Sequence, residues 1–342
     1  MKCPHCYAEL RYRERSNRTC SKCRQQFVLE PKANTFKLHD LGLRELLNRL
    51  SQNGTIRLTS EQVLGALLRR QQAKTNGFPC GLYILATIVT AFLFGIINVT
   101  LDLPAFFIII PVMFAWIITG YLATRISYSP RLPSLSNFEE TILRPWSLKY
   151  GRPPWLIMND ETIALSMMQP LIHPNAVNVA ILCPSAAVRA FIVANELPRR
   201  FGMIALPPVI NAAQEPWLRA VRERRVPVYV LHEASLHGCL LVHDVYQLWQ
   251  LPVDHPVIDL GINPHDILEV KKKESLLLKV KPDAELVNKV MTFTRLKPIE
   301  VDWLKKGNVA PLYGLPPARL LAMLIAGGKA GQLGFTSWPK AA

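Results

Sequence analysis

The apolar positions of this chain change their period as the chain proceeds, and each change predicts a different kind of structure. Between Lys37 and Gln72, Leu41, Leu43, Leu46, Leu47 and Leu50, then Val63, Leu64, Leu67 and Leu68, recur at helical spacing. They predict two amphipathic helices within residues 37–75, separated by Asn53-Gly54. The second is expected to begin at Thr59 or Ser60, whose hydroxyl can accept from free backbone N–H groups, with Glu61 and Gln62 in its first turn. It could pack on the preceding module or lie on a membrane surface.

Residues 81–100 and 104–124 then carry no charge. At a rise of about 1.5 Å per residue each run covers the roughly 30 Å hydrocarbon thickness of a bilayer, so 81–124 is expected to be a two-helix transmembrane hairpin. Arg69, Arg70 and Lys74 precede it, Arg125, Arg131 and Arg144 follow, and the turn holds only Asp102. Positive residues accumulate on the cytoplasmic side, so the pattern predicts an integral protein of the inner or plasma membrane, both termini cytoplasmic, with the lipid bilayer as a partner. A hairpin buried in a soluble core is the other reading; Tyr83, Trp116 and Tyr121 argue for lipid. Pro111 marks an expected kink.

Residues 127–174 open with a Pro- and Ser-rich stretch, which reads as a connector. From residue 175 onward short β-rich runs at 177–182, 203–206, 226–231 and 257–260 alternate with helical patterns at 186–197, 215–225 and 240–251. Such alternation predicts a mostly parallel sheet with helices on its faces, an α/β domain over 175–342. The expected fold is therefore multi-domain: a small N-terminal module, the hairpin and the α/β domain.

Charge changes this picture only a little. A formal net charge of +15 suits nucleic acid or anionic lipid. Part of it, however, records topology if the hairpin is embedded. The 7 cysteines comprise two CxxC pairs and the single residues Cys80, Cys183 and Cys239, which suits a metal site in a reducing compartment better than a disulfide framework. The charged first residues do not resemble a cleavable signal peptide.

Residues 1–31 contain too few apolar side chains for a core of their own, so metal must hold them together. Cys3-Pro-His-Cys6 and Cys20-Ser-Lys-Cys23 offer four thiolates for a tetrahedral site. The pattern resembles a zinc ribbon, and the closed four-sulfur set implies structural zinc with Cys3, Cys6, Cys20 and Cys23 as ligands. His5 reads as a solvated spacer within the first knuckle. Arg11, Arg13, Arg15, Arg18, Lys22 and Arg24 could grip phosphates, sit near lipid headgroups, or form a solvated face.

The stretch from Val177 to Ile267 resembles the toprim domain of topoisomerase VI A subunits and their meiotic relatives. Its last segment, Asp259-Leu-Gly-Ile-Asn-Pro-His-Asp266, matches the family at Gly261, Pro264 and Asp266. Glu233 matches the first acid of the family's Asp-x-Asp turn, Ser235 replaces the second, and Pro184 stands where an earlier Glu belongs. The resemblance implies a magnesium site; with one acid and a hydroxyl in place of the carboxylate set, such a site holds the ion poorly. No family-type catalytic Tyr is recognisable.

The residues therefore lead to an adaptor: a membrane-anchored cytoplasmic protein with a structural zinc ribbon and a non-catalytic toprim-like domain that binds a protein or nucleic acid. The alternative is a metal-dependent nuclease or phosphotransferase with a rearranged site, in which Glu233 is the candidate catalytic residue beside His232, His237, His243 or Asp244, with magnesium as cofactor. A third reading makes the hairpin itself the surface that meets a membrane partner. Cys183 and Cys239 read as buried thiols, and Cys80 as an interfacial one open to acylation. Arg222 to Arg225 and Lys271 to Lys273 could track a phosphate backbone or be solvated ends. The segment 326–331 lacks the full phosphate-binding loop pattern.

Overall fold

The computed structural model describes residues 1–75, 88–89, 92, 113–114, 116–118, 133–168, 170–269 and 276–330. The chain divides into two compact units, Met1–Gln71 with Leu132–Ala342, and Gln72–Arg131. In the first unit the cysteine module leads into α1 (Asp40–Leu50), strand β1 (Leu58–Thr59) and α2 (Ser60–Thr75). The predicted start of α2 is found: Thr59 Oγ1 accepts from the Gln62 N–H at 3.4 Å while Gln62 Oε1 accepts from the Thr59 N–H at 3.0 Å, a reciprocal cap.

The expected connector is mostly ordered structure. Within 133–168 lie α3 (Leu135–Phe138), a π turn (Glu139–Leu143), α4 (Arg144–Tyr150), β2 (Leu156–Ile157) and α5 (Asn159–Met167). Strand β2 pairs in parallel with β1, Leu58 opposite Leu156. Phe138, Leu143 and Trp146 are buried with the leucines of α1 and α2, burial that is worth about 1.5–3 kcal/mol for each large side chain. Half of the Pro and Ser residues of 127–136 that suggested a linker, Pro133, Ser134 and Ser136, stand at the start of this segment, where Ser134 caps α3, and the buried Phe138, Leu143 and Trp146 come after them.

The α/β body is as the alternation predicts. Strands β3 (Val179–Leu182), β4 (Met203–Leu206), β5 (Val228–Val230) and β6 (Val257–Asp259) form one sheet of order β4-β3-β5-β6, every pair parallel. The intervening helices are α6 (Ala186–Ala194), α7 (Leu197–Phe201), α8 (Glu215–Glu223) and α9 (Leu236–Leu248). Period-two alternation splits the strands between two cores: Val179, Ile181 and Tyr229 join the layer of α1, α2 and α6, while Ala180, Leu182, Val228 and Val230 pack on α8 and α9. After β6 come α10 (Pro264–Glu269), β7 (Leu278–Lys279), α11 (Ala284–Phe293), α12 (Pro298–Lys305), β8 (Asn308–Val309) and α13 (Pro317–Ala330).

The second unit is described only at 72–75, the end of α2, and at Ile88, Val89, Phe92, Met113, Phe114 and Trp116–Ile118, all helical. Among the described residues no helix is long and apolar enough to cross a membrane. That finding overturns the expected transmembrane hairpin, and with it the integral-membrane localisation and the cytoplasmic placement of both termini that rested on it. Most of 81–124, on which the expectation was built, lies outside the described residues, as does Cys80. A run of uncharged residues shows that a segment can be apolar; it does not by itself show a continuous helix of spanning length.

Candidate functional site

Each CxxC pair closes a tight turn. The N–H groups of Tyr7 and Arg24 return to the carbonyls of Cys3 and Cys20, at 3.1 and 2.9 Å, and both residues take the left-handed conformation, φ 57° and 56°. These turns bring the four sulfurs together: Cys3 Sγ lies 3.7 Å from Cys23 Sγ, Cys6 Sγ 3.8 Å from Cys20 Sγ, and all four fall within 4.8 Å of one another. A tetrahedral zinc with Zn–S bonds of about 2.3 Å requires sulfur–sulfur edges of about 3.8 Å, so the four thiols can hold a zinc ion. His5 is not part of the set; its ring meets the Gln26 carbonyl at 3.1 Å.

The module is fastened by a residue that the sequence did not single out. Asp40, only 1% exposed, accepts from the N–H groups of Val28 (3.0 Å) and Leu29 (3.2 Å) and from the Tyr150 hydroxyl (3.2 Å). Its backbone carbonyl also accepts from the Trp146 indole at 3.3 Å. Burial pushes the Asp40 carboxyl above its ordinary value, although the hydrogen bonds oppose that rise. Of the module's cations, Arg15 pairs with Glu30 at 3.2 Å. Arg11, Arg13, Arg18, Lys22 and Arg24 are exposed and form no ion pair among the described residues. Tyr7 and Tyr12 are 61% and 54% exposed beside them.

In the α/β body the strand order reverses direction between β3 and β5, which makes their carboxyl ends the expected crevice. At the β3 end, Pro184 leaves a carbonyl where the resemblance wants an acid. Arg189 from α6 donates to that carbonyl at 2.8 Å and to the carbonyl of Cys183 at 2.7 Å. At the β5 end Glu233 lies within electrostatic reach of an unforeseen residue, Glu61 at the start of α2. Burial, then repulsion from Glu233, pushes the Glu61 carboxyl up. Burial likewise raises Glu233, opposed by the Ser235 hydroxyl and by His232 and His237. Tyr313, whose phenol is pushed to about 12 by burial and then by both carboxylates, completes the cluster. A Cβ on Gly65 would lie 2.3 Å from the Tyr313 carbonyl, so glycine lets α2 approach this closely.

The other predicted site residues are dispersed. The ring of His232, a residue 1% exposed, meets Asp259 Oδ1 at 3.0 Å through Nε2 and the Glu233 carbonyl at 2.8 Å through Nδ1. Both ring nitrogens face oxygen atoms, so the ring is held at two points. Burial would raise the Asp259 carboxyl, but His232, Asn263 and the Gly261 N–H more than offset this and hold it below its ordinary value. A Cβ on Gly261 would sit 2.2 Å from the His232 ring, which accounts for the glycine of the Leu-Gly pair. Ser235 caps α9 by accepting from the Gly238 N–H at 2.9 Å, and Asp266 accepts from the Asn263 N–H at 2.9 Å at the start of α10. His243 stacks on Phe293 with centroids 4.6 Å apart.

A cavity of about 650 Å³ opens at the carboxyl end of β6, lined from α9, α10, α12 and the loop 294–297. Its acids are committed: Asp259 as above, Asp266 to the helix start, and Glu300 to the Lys297 N–H at 2.7 Å, with the His265 ring 3.5 Å from it. Cys239 and Cys183 are buried thiols pushed to about 12, first by burial. Among the other basic patches, Arg222 pairs with Glu215, Arg225 with Asp254 at 2.7 Å, and Arg224 donates to the Asn175 carbonyl at 2.7 Å, so these cations are structural. Lys271 to Lys273 lie outside the described residues.

No protein-family model, curated protein or solved structure matches this chain. The family resemblance therefore supports no assignment by descent, and the site stands on its own geometry.

Proposed function

We propose that this chain is a nucleic-acid-binding protein in which a structural zinc ribbon makes the contact and the α/β body, a toprim-like domain without magnesium chemistry, is its platform. The observation that carries the reading is the ribbon's set of six exposed cations without an ion pair among the described residues, Lys2, Arg11, Arg13, Arg18, Lys22 and Arg24, together with exposed Tyr7 and with Tyr12, whose ring already carries Lys32 at 3.7 Å. Unpaired Lys and Arg release counterions from phosphates, and exposed tyrosines offer faces on which unpaired bases stack. The body supports the reading in its own way: Pro184 occupies the place of the first acid, and Asp259 and Asp266 are spent on His232 and a helix cap.

The test is fluorescence anisotropy of a labelled single-stranded oligonucleotide with the zinc-loaded full chain. Affinity is expected to fall linearly with salt on logarithmic axes, and the charge-reversed variant Arg11→Glu, Arg13→Glu, Arg24→Glu is expected to lose binding. Absence of binding at low salt, or binding indifferent to the reversal, would favour a protein partner and refute this reading.

One observation favours a second reading. Repulsion from Glu233 raises the Glu61 carboxyl, so a second acid from outside the sheet stands within electrostatic reach of the strand-order switch even though the expected third is missing. A metal-dependent phosphotransferase or nuclease using this pair predicts a second divalent ion besides zinc. Calorimetry with Mn²⁺ on the zinc-loaded protein, beside the variant Glu61→Gln, Glu233→Gln, decides it: heat in the wild type alone favours the enzyme, and no heat in either removes it.

A further inference from the structure

We infer that the cavity at the carboxyl end of β6 is a binding site for a small aromatic anion of about nucleotide size. This inference is independent of the ribbon and of the Glu61–Glu233 pair, neither of which borders the cavity. Its volume of about 650 Å³ falls inside the range of roughly 300–1,000 Å³ typical of small-ligand sites.

The sign of the ligand follows from which charges are already used. Asp259 receives hydrogen bonds from His232, Gly261 and Asn263, and Glu300, 4% exposed, receives one from Lys297 and faces His265. Arg295 and Lys297 also line the cavity, both are exposed, and neither is paired among the described residues. All three acids of the lining, Asp259, Asp266 and Glu300, already accept hydrogen bonds within the protein, whereas Arg295 and Lys297 form no ion pair among the described residues, so the charged groups still open to a ligand are cations that suit an anion.

The body of the ligand follows from the wall. His243 and Phe293 present a stacked pair of rings, 4.6 Å apart and 17° from parallel, at the cavity, and Phe293 remains 51% exposed. A large aromatic side chain left half in water and fixed by a stack is a surface on which a planar group can lie. Arg295 and Lys297 follow Phe293 by two and four residues, so the aromatic face and both cations belong to one stretch of the cavity wall.

The probe is 8-anilinonaphthalene-1-sulfonate, an aromatic sulfonate whose fluorescence rises in apolar surroundings, titrated into the zinc-loaded full chain. Saturable binding at one site is expected. The variant Arg295→Glu, Lys297→Glu is expected to weaken it at least about ten-fold, since charged hydrogen bonds of this kind carry that much affinity. The uncharged analogue N-phenyl-1-naphthylamine is expected to bind both proteins alike, and Phe293→Ser to weaken both probes. Arg200→Glu, on the exposed side of α7, serves as the control and is expected to change nothing. All substituted residues are exposed, so circular dichroism and melting temperature should match the wild type. The inference is overturned if the double reversal keeps wild-type affinity for the sulfonate, if Phe293→Ser does so, or if Arg200→Glu weakens it equally.

Discussion

The ribbon and the carboxyl edge of the sheet solve the problem of placing charge in opposite ways. The ribbon has almost no core, is closed by four sulfurs, and leaves six exposed cations without an ion pair among the described residues. The sheet edge has two apolar cores behind it and spends nearly every acid on a hydrogen bond within the protein, from His232–Asp259 to Glu300–Lys297. The ribbon therefore turns its charge outward, while the acids of the sheet edge turn theirs inward. Charge at the sheet edge mostly maintains the fold, with Arg295 and Lys297 as cations there that form no ion pair among the described residues.

The largest effect that would sharpen this contrast is loss of metal. Chelation of zinc, or Cys20→Ser, should unfold residues 1–31 while the sheet persists, because four-thiolate zinc supplies about 10–16 kcal/mol to such modules. Hydrogen exchange reads it, with loss of protection confined to the ribbon; melting of β3 and β5 in step with it would break the comparison. Next comes the fastening between ribbon and helices. Asp40→Ala leaves the Val28, Leu29 and Tyr150 donors without their acceptor and should cost about 3 kcal/mol or more in urea unfolding.

The sheet edge should respond more moderately. Gly261→Ala drives a methyl into the His232 ring and Asp259→Asn removes the charge that faces it; each is expected to cost about 2 kcal/mol. The Asp259 carboxyl is held below its ordinary value, so its contribution is complete above the unfolded pKa of about 3.9 and is lost as pH falls toward the lower, folded value. The urea midpoint of the wild type should fall over that acid window, and Asp259→Asn should flatten the fall. The smallest effect has the opposite sign. Glu61 is raised, so ionising it in the fold is unfavourable; Glu61→Gln should raise the melting temperature by a few degrees at pH 8 and lose the gain below the unfolded pKa of about 4.3.

What was legible in the sequence was what depends on near neighbours. The CxxC turns, the Thr59 cap and the short β-rich runs of β3, β4, β5 and β6 are each written within a few residues, and each is found. The resemblance at Glu233, Gly261 and Asp266 located the sheet edge but not the use of its residues: Asp266 caps a helix and Gly261 makes room for a histidine. Asp40, Glu61 and the buried helices of 133–168 were missed for one reason. Their partners stand up to about 170 residues away along the chain, as Glu61 does from Glu233, and no local pattern records such a distance. The uncharged runs of 81–124 misled in the reverse direction, because local apolarity was taken to settle an element's length.

The pairing of β1 with β2 fixes an order of events during synthesis. Leu58 finds Leu156 only after 98 further residues have been made, which at ribosomal rates of about 5–20 residues per second takes roughly 5 to 20 s. Throughout that interval the leucines of α1 and α2 have no Phe138, Leu143 or Trp146 to cover them. A nascent chain of this protein thus exposes its stickiest helices early and hides them late, and a fragment that stops before residue 133 should aggregate instead of yielding a free-standing ribbon.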